Sequence, residues 1–181
     1  FLTTDHPNGA PFTSYPHLIR LLMDKSFRDE AFDKLNLDAQ AMSNLKAIER
    51  EYSLYEIATM TRAGAAKLIG MDNQGHLGEA AAANITVYTE QSDKEAMFGK
   101  PDYVFKDGRM VVKDGDLIDV TWGTTHVVKP EYDKSIETSL KGYFDKYLTM
   151  KMGNFKISDD EIVDDGRGSL TIQPLHKGGP V

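Results

Sequence analysis

The residues Thr3-Thr4-Asp5-His6-Pro7-Asn8-Gly9 set a carboxylate beside an imidazole where a very short apolar start gives way to a Pro/Gly loop. A rigid element that ends in an open loop is a place to hold a reactive group. On residue types alone Asp5 has a second use, as a turn residue whose side chain bonds nearby backbone, and composition favours that use. His17, His76, His126 and His176 are scattered and read as solvated or singly bonded. Only His76 has carboxylates at helical spacing, Asp72 and Glu79, and the flanking Gly75 and Gly78 oppose a helix that would align the three. The same glycines lack the patterns of a phosphate-binding loop, so a turn is expected there. Arg62, on a helix with an apolar opposite face, could bind an anion, and a surface or interhelix ion pair is the expected use. Tyr143, Phe144 and Tyr147 read as packing. These residue types alone do not separate an enzyme from a non-catalytic assembly module.

The elements that position Asp5 follow from punctuation and period. Pro7, Asn8, Gly9, Pro11 and Pro16 leave no helix before about residue 16. Ser14 and Pro16 then form a helix start, and Leu18, Leu21, Leu22, Phe27, Phe32 and Leu35 predict one amphipathic helix over 16–35. Ala41, Met42, Leu45 and Ile48 continue a helical stripe to about Arg50. Ser53 and Glu56 have capping-box spacing ahead of a helix that stops at Gly70. Beyond it the period changes: Ile85 and Val87 suggest a strand, and Tyr103–Lys106, Asp107-Gly108, Arg109–Lys113 and Asp114-Gly115 spell strand, tight turn, strand, tight turn. Leu117 to Val128 supplies a further strand or two. Pro130 ends this β unit, a helix of some five turns is expected over Tyr132–Met152, and the tail from Gly153 reads as irregular with at most one short strand at Leu170–Ile172.

Composition removes whole classes. The chain has 181 residues, 40% apolar and 27% charged, which suits a globular core, and a net charge of −7 with no basic cluster speaks against a nucleic-acid partner. No apolar run approaches the roughly 18 residues of a membrane-spanning helix and no signal peptide is evident, so a soluble, cytoplasmic protein without a membrane partner is expected. With no cysteine there is no disulfide, thiolate metal ligand or Cys nucleophile. The sequence opens at Phe1 rather than Met and reads as a piece of a longer polypeptide.

Four segments in order, TTDHPNGAPFTSYPHLIRLLM, SLYEIATMTRAGAAKLIGM, GHLGEAAAANITVY and DYVFKDGRMVVKDG, cover roughly residues 3–115. They resemble the C-terminal part of the amidohydrolase-superfamily subunit of formylmethanofuran dehydrogenases, with the corresponding subunit of formyltransferase/hydrolase complexes a close cousin. The resemblance implies an α/β fold: the C-terminal fragment of an amidohydrolase-type TIM barrel, part of a small accompanying β-sandwich, and a C-terminal helix. The expected segments are 1–71 (barrel end and its helices), 72–129 (β-sandwich) and 130–181 (helix and irregular tail).

The resemblance further implies that Asp5 matches the catalytic carboxylate after the last barrel strand, which approaches a zinc ion and shuttles the proton of the attacking water. His6 and Asn8 would shape the substrate loop. The family's site interconverts formate plus methanofuran with N-formylmethanofuran; a molybdenum or tungsten pterin and iron–sulfur clusters lie on partner subunits of the complex. The other zinc ligands, a His-x-His pair, a carboxylated lysine and two histidines, have no counterpart in this chain, so the chain alone is expected to be inactive. The family's usual G-x-x-A-D-[IL] lead into the sandwich reads Ala80 to Ile85 here, with Ala80 for Gly and Asn84 for Asp. The alternatives are another metal-dependent amide or cyclic-amide hydrolase, and a non-catalytic assembly module.

Overall fold

The computed structural model describes residues 1–163 and 167–173, which divide into two compact units, Phe1–Val120 and the residues from Thr121 onward. The first unit begins extended, with Leu2 and Thr4 covered and Phe1 and Thr3 open, the alternation of a strand with one face packed. A 3₁₀ turn, Phe12–Ser14, leads into α1 (Tyr15–Met23), whose first turn holds Pro16; the Ser14 side chain makes no cap. The single helix expected over 16–35 is two helices. Asp24 takes an extended conformation (φ −129°, ψ 100°) and its carboxylate accepts the Phe27 N–H, so it ends α1 and caps α2 (Lys25–Asp33). Asn36 caps α3 (Leu37–Met42) in the same way through the Ala39 N–H. The helical stripe expected to reach Arg50 stops at extended Ser43, whose hydroxyl accepts the Leu45 N–H, and only a 3₁₀ turn, Leu45–Ala47, follows.

Arg28 holds these pieces together. It is fully buried on α2, and its guanidinium donates to the carbonyls of Leu21 (2.7 Å), Leu22 (3.3 Å), Ile48 (2.8 Å) and Arg50 (3.0 Å). Leu21 and Leu22 belong to the last turn of α1, where carbonyls lack helical partners, so one side chain satisfies a helix end and a loop together.

Next comes α4 (Leu54–Ala58), with Ser53 and Glu56 capping each other's backbone as the spacing predicts. A π-helical turn, Thr59–Ala63, separates it from α5 (Gly64–Leu68). The hydroxyls of Thr59 and Thr61 donate to the carbonyls of Tyr55 (2.9 Å) and Ile57 (2.8 Å) within this widened turn. Gly70, at φ 72°, ends the segment where expected.

A four-stranded antiparallel sheet follows in the order β1 (Ile85–Val87), β2 (Tyr103–Lys106), β3 (Arg109–Lys113), β4 (Asp116–Leu117), with a register shift between Val104 and Phe105. Both residues of Asp107-Gly108 and of Asp114-Gly115 have positive φ, as the hairpin reading requires. The sequence reading missed α6 (Lys94–Gly99), a six-residue helix capped by Asp93, which packs on α1. Ala80, in the position where the resembled family has Gly, adopts φ 61°. Asn84 Oδ1 accepts the Asp107 N–H at 2.9 Å, tying the lead into β1 to the first hairpin.

In the second unit β5 (Thr124–Val128) pairs in parallel with β6 (Ser169–Gln173), which extends the short strand expected at Leu170–Ile172. Between them lie α7 (Ile136–Tyr147), a 3₁₀ turn (Met152–Phe155) and α8 (Asp159–Ile162), the last capped by Ser158 and Glu161. The five-turn helix expected over Tyr132–Met152 is only 12 residues long. Asp133 accepts the Ser135 N–H ahead of it, and Leu148 is already extended (φ −120°, ψ 148°). Tyr143 packs against both Phe144 and Tyr147, as expected, while Tyr143 and Tyr147 stay more than half exposed. The expected irregular run DDGRG lies partly, and KGGP and His176 wholly, outside the described residues.

Candidate active site

Asp5 ends the extended N-terminal segment with φ 55°, and its carbonyl accepts the Gly9 N–H at 2.8 Å, closing the turn through Pro7 and Asn8. The His6–Pro7 peptide is cis. The Asp5 carboxylate is exposed, and no hydrogen bond or ion pair holds it among the described residues. The turn-residue use favoured by composition, a side chain bonded to nearby backbone, is therefore not what the structure has: the Asp5 backbone makes the turn and the carboxylate stands clear of it. Gly9 presses against this group. A Cβ at Gly9 would lie 3.1 Å from Asp5 Cβ and from the Thr4 carbonyl oxygen and 3.2 Å from Asp5 Oδ2, a tight fit that these neighbours meet only by moving a few tenths of an ångström.

His6 does not join Asp5. Its Nδ1 accepts the Phe12 N–H at 3.3 Å, which puts the proton of the neutral ring on Nε2, and the ring stacks on Phe12 with centroids 4.0 Å apart. Asn8 is exposed in the turn. On the covered face of the same segment, Thr4 is buried with its hydroxyl unpartnered, and Leu2 lines a cleft of about 370 Å³ with Tyr15, Ile19, Arg62, Tyr88 and Phe98. Arg62 donates to the Thr61 carbonyl and lies beside Tyr88; the expected ion pair is not made among the described residues. Burial pushes the Tyr88 hydroxyl up from its usual range, against the opposing charge of Arg62.

His76 is a loop clip: Nδ1 accepts the Gly78 N–H (3.1 Å) and Nε2–H donates to the Asp72 carbonyl (2.9 Å). It therefore makes two bonds where at most one was expected. Gly75 has φ 78° and packs onto the Arg62 carbonyl, a turn as expected. His17 faces Glu95 at 3.3 Å. Sequence reasoning missed Arg28, and the signal was present: it follows Leu21 by seven residues and precedes Phe32 by four, on the apolar face.

The donor set bears on zinc. Among the described residues no three His, Asp or Glu side chains converge, whereas catalytic zinc takes three protein ligands. The described residues by themselves do not assemble the metal site that the resemblance implies.

The amidohydrolase family model matches residues 1–118, and the chain belongs to that family. It is 40% identical over 158 residues to the A component of the formyltransferase/hydrolase complex Fhc of Methylorubrum extorquens, a match covering 87% of this chain and 29% of that protein. It is 39% identical over 171 residues to the protein FwdA of Methanocaldococcus jannaschii, covering 88% of this chain and 30% of that protein. The crystal structure of the Methylorubrum extorquens complex FhcABCD with methylofuran contains a chain that superposes with a TM-score of 0.80 at 37% identity, over 96% of this chain and 32% of that one. The chain thus spans about 30% of the length of these relatives. Among the described residues, no helix is long and apolar enough to cross a membrane.

Proposed function

We propose that this chain is the part of an amidohydrolase subunit that brings one carboxylate, Asp5, to a site cleaving or forming the N-formyl amide of a methanofuran-type amine. In this reading Phe1–Thr4 is the end of the last strand of a (β/α)₈ barrel, the helices to residue 71 close that barrel, and residues 72–120 with the β1–β4 sheet belong to the β-sandwich beside it; β5, expected with that sheet up to residue 129, lies in the second unit and pairs with β6. Zinc and its remaining ligands would come from residues outside this chain. The molybdenum or tungsten pterin and the iron–sulfur clusters stay with partner subunits.

The observation that carries the proposal is the exposed Asp5 carboxylate, held forward on left-handed backbone with no partner among the described residues. A carboxylate so placed can take a proton from water as the water oxygen bonds to the formyl carbon. It then returns that proton to the amide nitrogen as the C–N bond breaks, which leaves formate and the free amine. Formation of the amide runs the same steps backward. His6, its Nδ1 already engaged, and Asn8 shape the loop beside the carboxylate.

Substrate discrimination tests this reading. The complete polypeptide containing this sequence, assembled with its partner subunits, is assayed on N-formylmethanofuran and on dihydroorotate and other cyclic amides. The proposal expects kcat/KM for the formyl amide to exceed the others by on the order of 100-fold or more. Preference for a cyclic amide would assign the chain to another amidohydrolase activity.

A further inference from the structure

His6 carries a donor that its turn orients and does not use. Nδ1 accepts the Phe12 N–H at 3.3 Å, so the proton of the neutral ring sits on Nε2. Among the described residues nothing takes that proton. Phe12 holds the ring a second time, through its side chain. The hydrogen bond lies along the edge of the imidazole and sets which edge faces the chain, while the stack, with centroids 4.0 Å and planes 13° apart, sets the plane itself. Phe12 is stacked in turn on Tyr15, in the first turn of α1, with centroids 6.4 Å and planes 13° apart. Shaping the loop uses the Nδ1 edge alone. Tautomer, edge and plane together fix something more, the direction of the remaining edge, Nε2–H.

The chemistry of that edge limits what it can recognise. An imidazole with Nδ1 engaged offers one donor and no acceptor, so it meets an oxygen and not the nitrogen-bound protons of an amine. His6 follows Asp5 directly, and the bond from the Gly9 N–H to the Asp5 carbonyl closes both residues into one turn. In the proposed reaction the acceptor at the carbon under attack is the formyl oxygen. It gains negative charge as water adds and leaves as an oxygen of formate, which is where a fixed donor lowers the barrier.

We infer that His6 is a substrate-binding residue whose Nε2–H donates to the formyl oxygen. The inference rests on the proposed function and divides the labour within it: Asp5 moves the proton and His6 holds the oxygen. Phe12 is then a positioning residue, its N–H setting the tautomer and its ring the plane.

Two variants of the complete subunit, assembled with its partner subunits, separate the two edges of the ring. In His6→Asn the side-chain oxygen reaches the place of Nδ1 and keeps the Phe12 N–H, and the far donor is gone. In His6→Gln the amide nitrogen reaches the place of Nε2 and keeps the donor. The inference expects kcat/KM for N-formylmethanofuran to fall about 100-fold in His6→Asn and to stay within about tenfold of wild type in His6→Gln. The inhibition constant of formate as product should rise at least about fivefold in His6→Asn alone, the loss of one hydrogen bond. Denaturation midpoints near that of wild type establish that both variants fold. His6→Asn with wild-type kinetics would make His6 a loop former only, and equal losses in the two variants would mean that the ring matters for its packing. Either result overturns the inference and leaves the role of Asp5 standing. A wild-type complex that does not turn over the formyl amide fails the functional reading, and this inference with it.

Discussion

Asp5 sits in the left-handed region because its carbonyl must turn back to meet the Gly9 N–H, and this turn projects the carboxylate away from the covered face of Leu2 and Thr4. Non-glycine residues reach that region at a cost, with Asp among the more tolerant, so the position joins a steric demand to a chemical one. Gly9 is the second half of the arrangement. In the complete subunit, Gly9→Ala brings a methyl against Asp5 Cβ and Oδ2, and the carboxylate must shift by a few tenths of an ångström. We expect kcat to fall roughly tenfold with little change in KM, since small misplacement of a reacting group costs rate rather than binding. Steady-state kinetics beside wild type checks this, and unchanged kcat would mean that the turn does not fix the carboxylate. The residue types of this site were legible in the sequence. The backbone angle that frees Asp5 from its own turn was not, because Asp before Pro-Asn-Gly is compatible with either arrangement.

Helices α1 to α4 are joined by caps rather than by a continuous apolar face. The reciprocal Ser53–Glu56 cap shows why some of this was legible: both partners lie within four residues, so spacing alone defines the bond. The break at Asp24 was hidden, because the apolar period of α1 and α2 continues across it while the deciding event is one side chain choosing the Phe27 N–H. The place of Arg28 on the apolar face was legible from its spacing to Leu21 and Phe32, but its partners were not, since the carbonyls of Ile48 and Arg50 that it satisfies lie 20 and 22 residues away. Arg28→Met would take the guanidinium donors from the carbonyls of Leu21, Ile48 and Arg50 at once, and we expect a loss of about 3 kcal/mol in denaturant unfolding of the complete subunit. The Arg50 guanidinium first, and then the Ser53 backbone and hydroxyl, hold the Glu56 carboxyl down at about 2, from 4.5. A lowered folded-state value means stability that is present in full above 4.5 and is lost as pH falls from there through about 2. Unfolding measured across that window should therefore fall less steeply for Glu56→Gln than for wild type.

The chain belongs to the amidohydrolase family and spans about 30% of the length of its relatives, and its described residues bring no set of metal ligands together. The sequence resemblance reached the family because the four motifs lie in the first unit, where the family model also matches. The second unit was less legible: its helix is shorter than its apolar period suggests, and Tyr143 and Tyr147, whose spacing reports packing on one another, stay more than half exposed. Spacing reports which residues share a face and not what covers that face. Asp5→Asn in the complete subunit, assembled with its partners, tests most directly whether this chain's carboxylate does the proton chemistry. The amide keeps the size of the side chain and removes its basicity, so the account predicts a fall in kcat for N-formylmethanofuran hydrolysis of about 10²–10⁴-fold, with complex assembly and denaturation midpoint unchanged. A variant that retained wild-type kcat would make Asp5 an ordinary loop residue and contradict the proposed function.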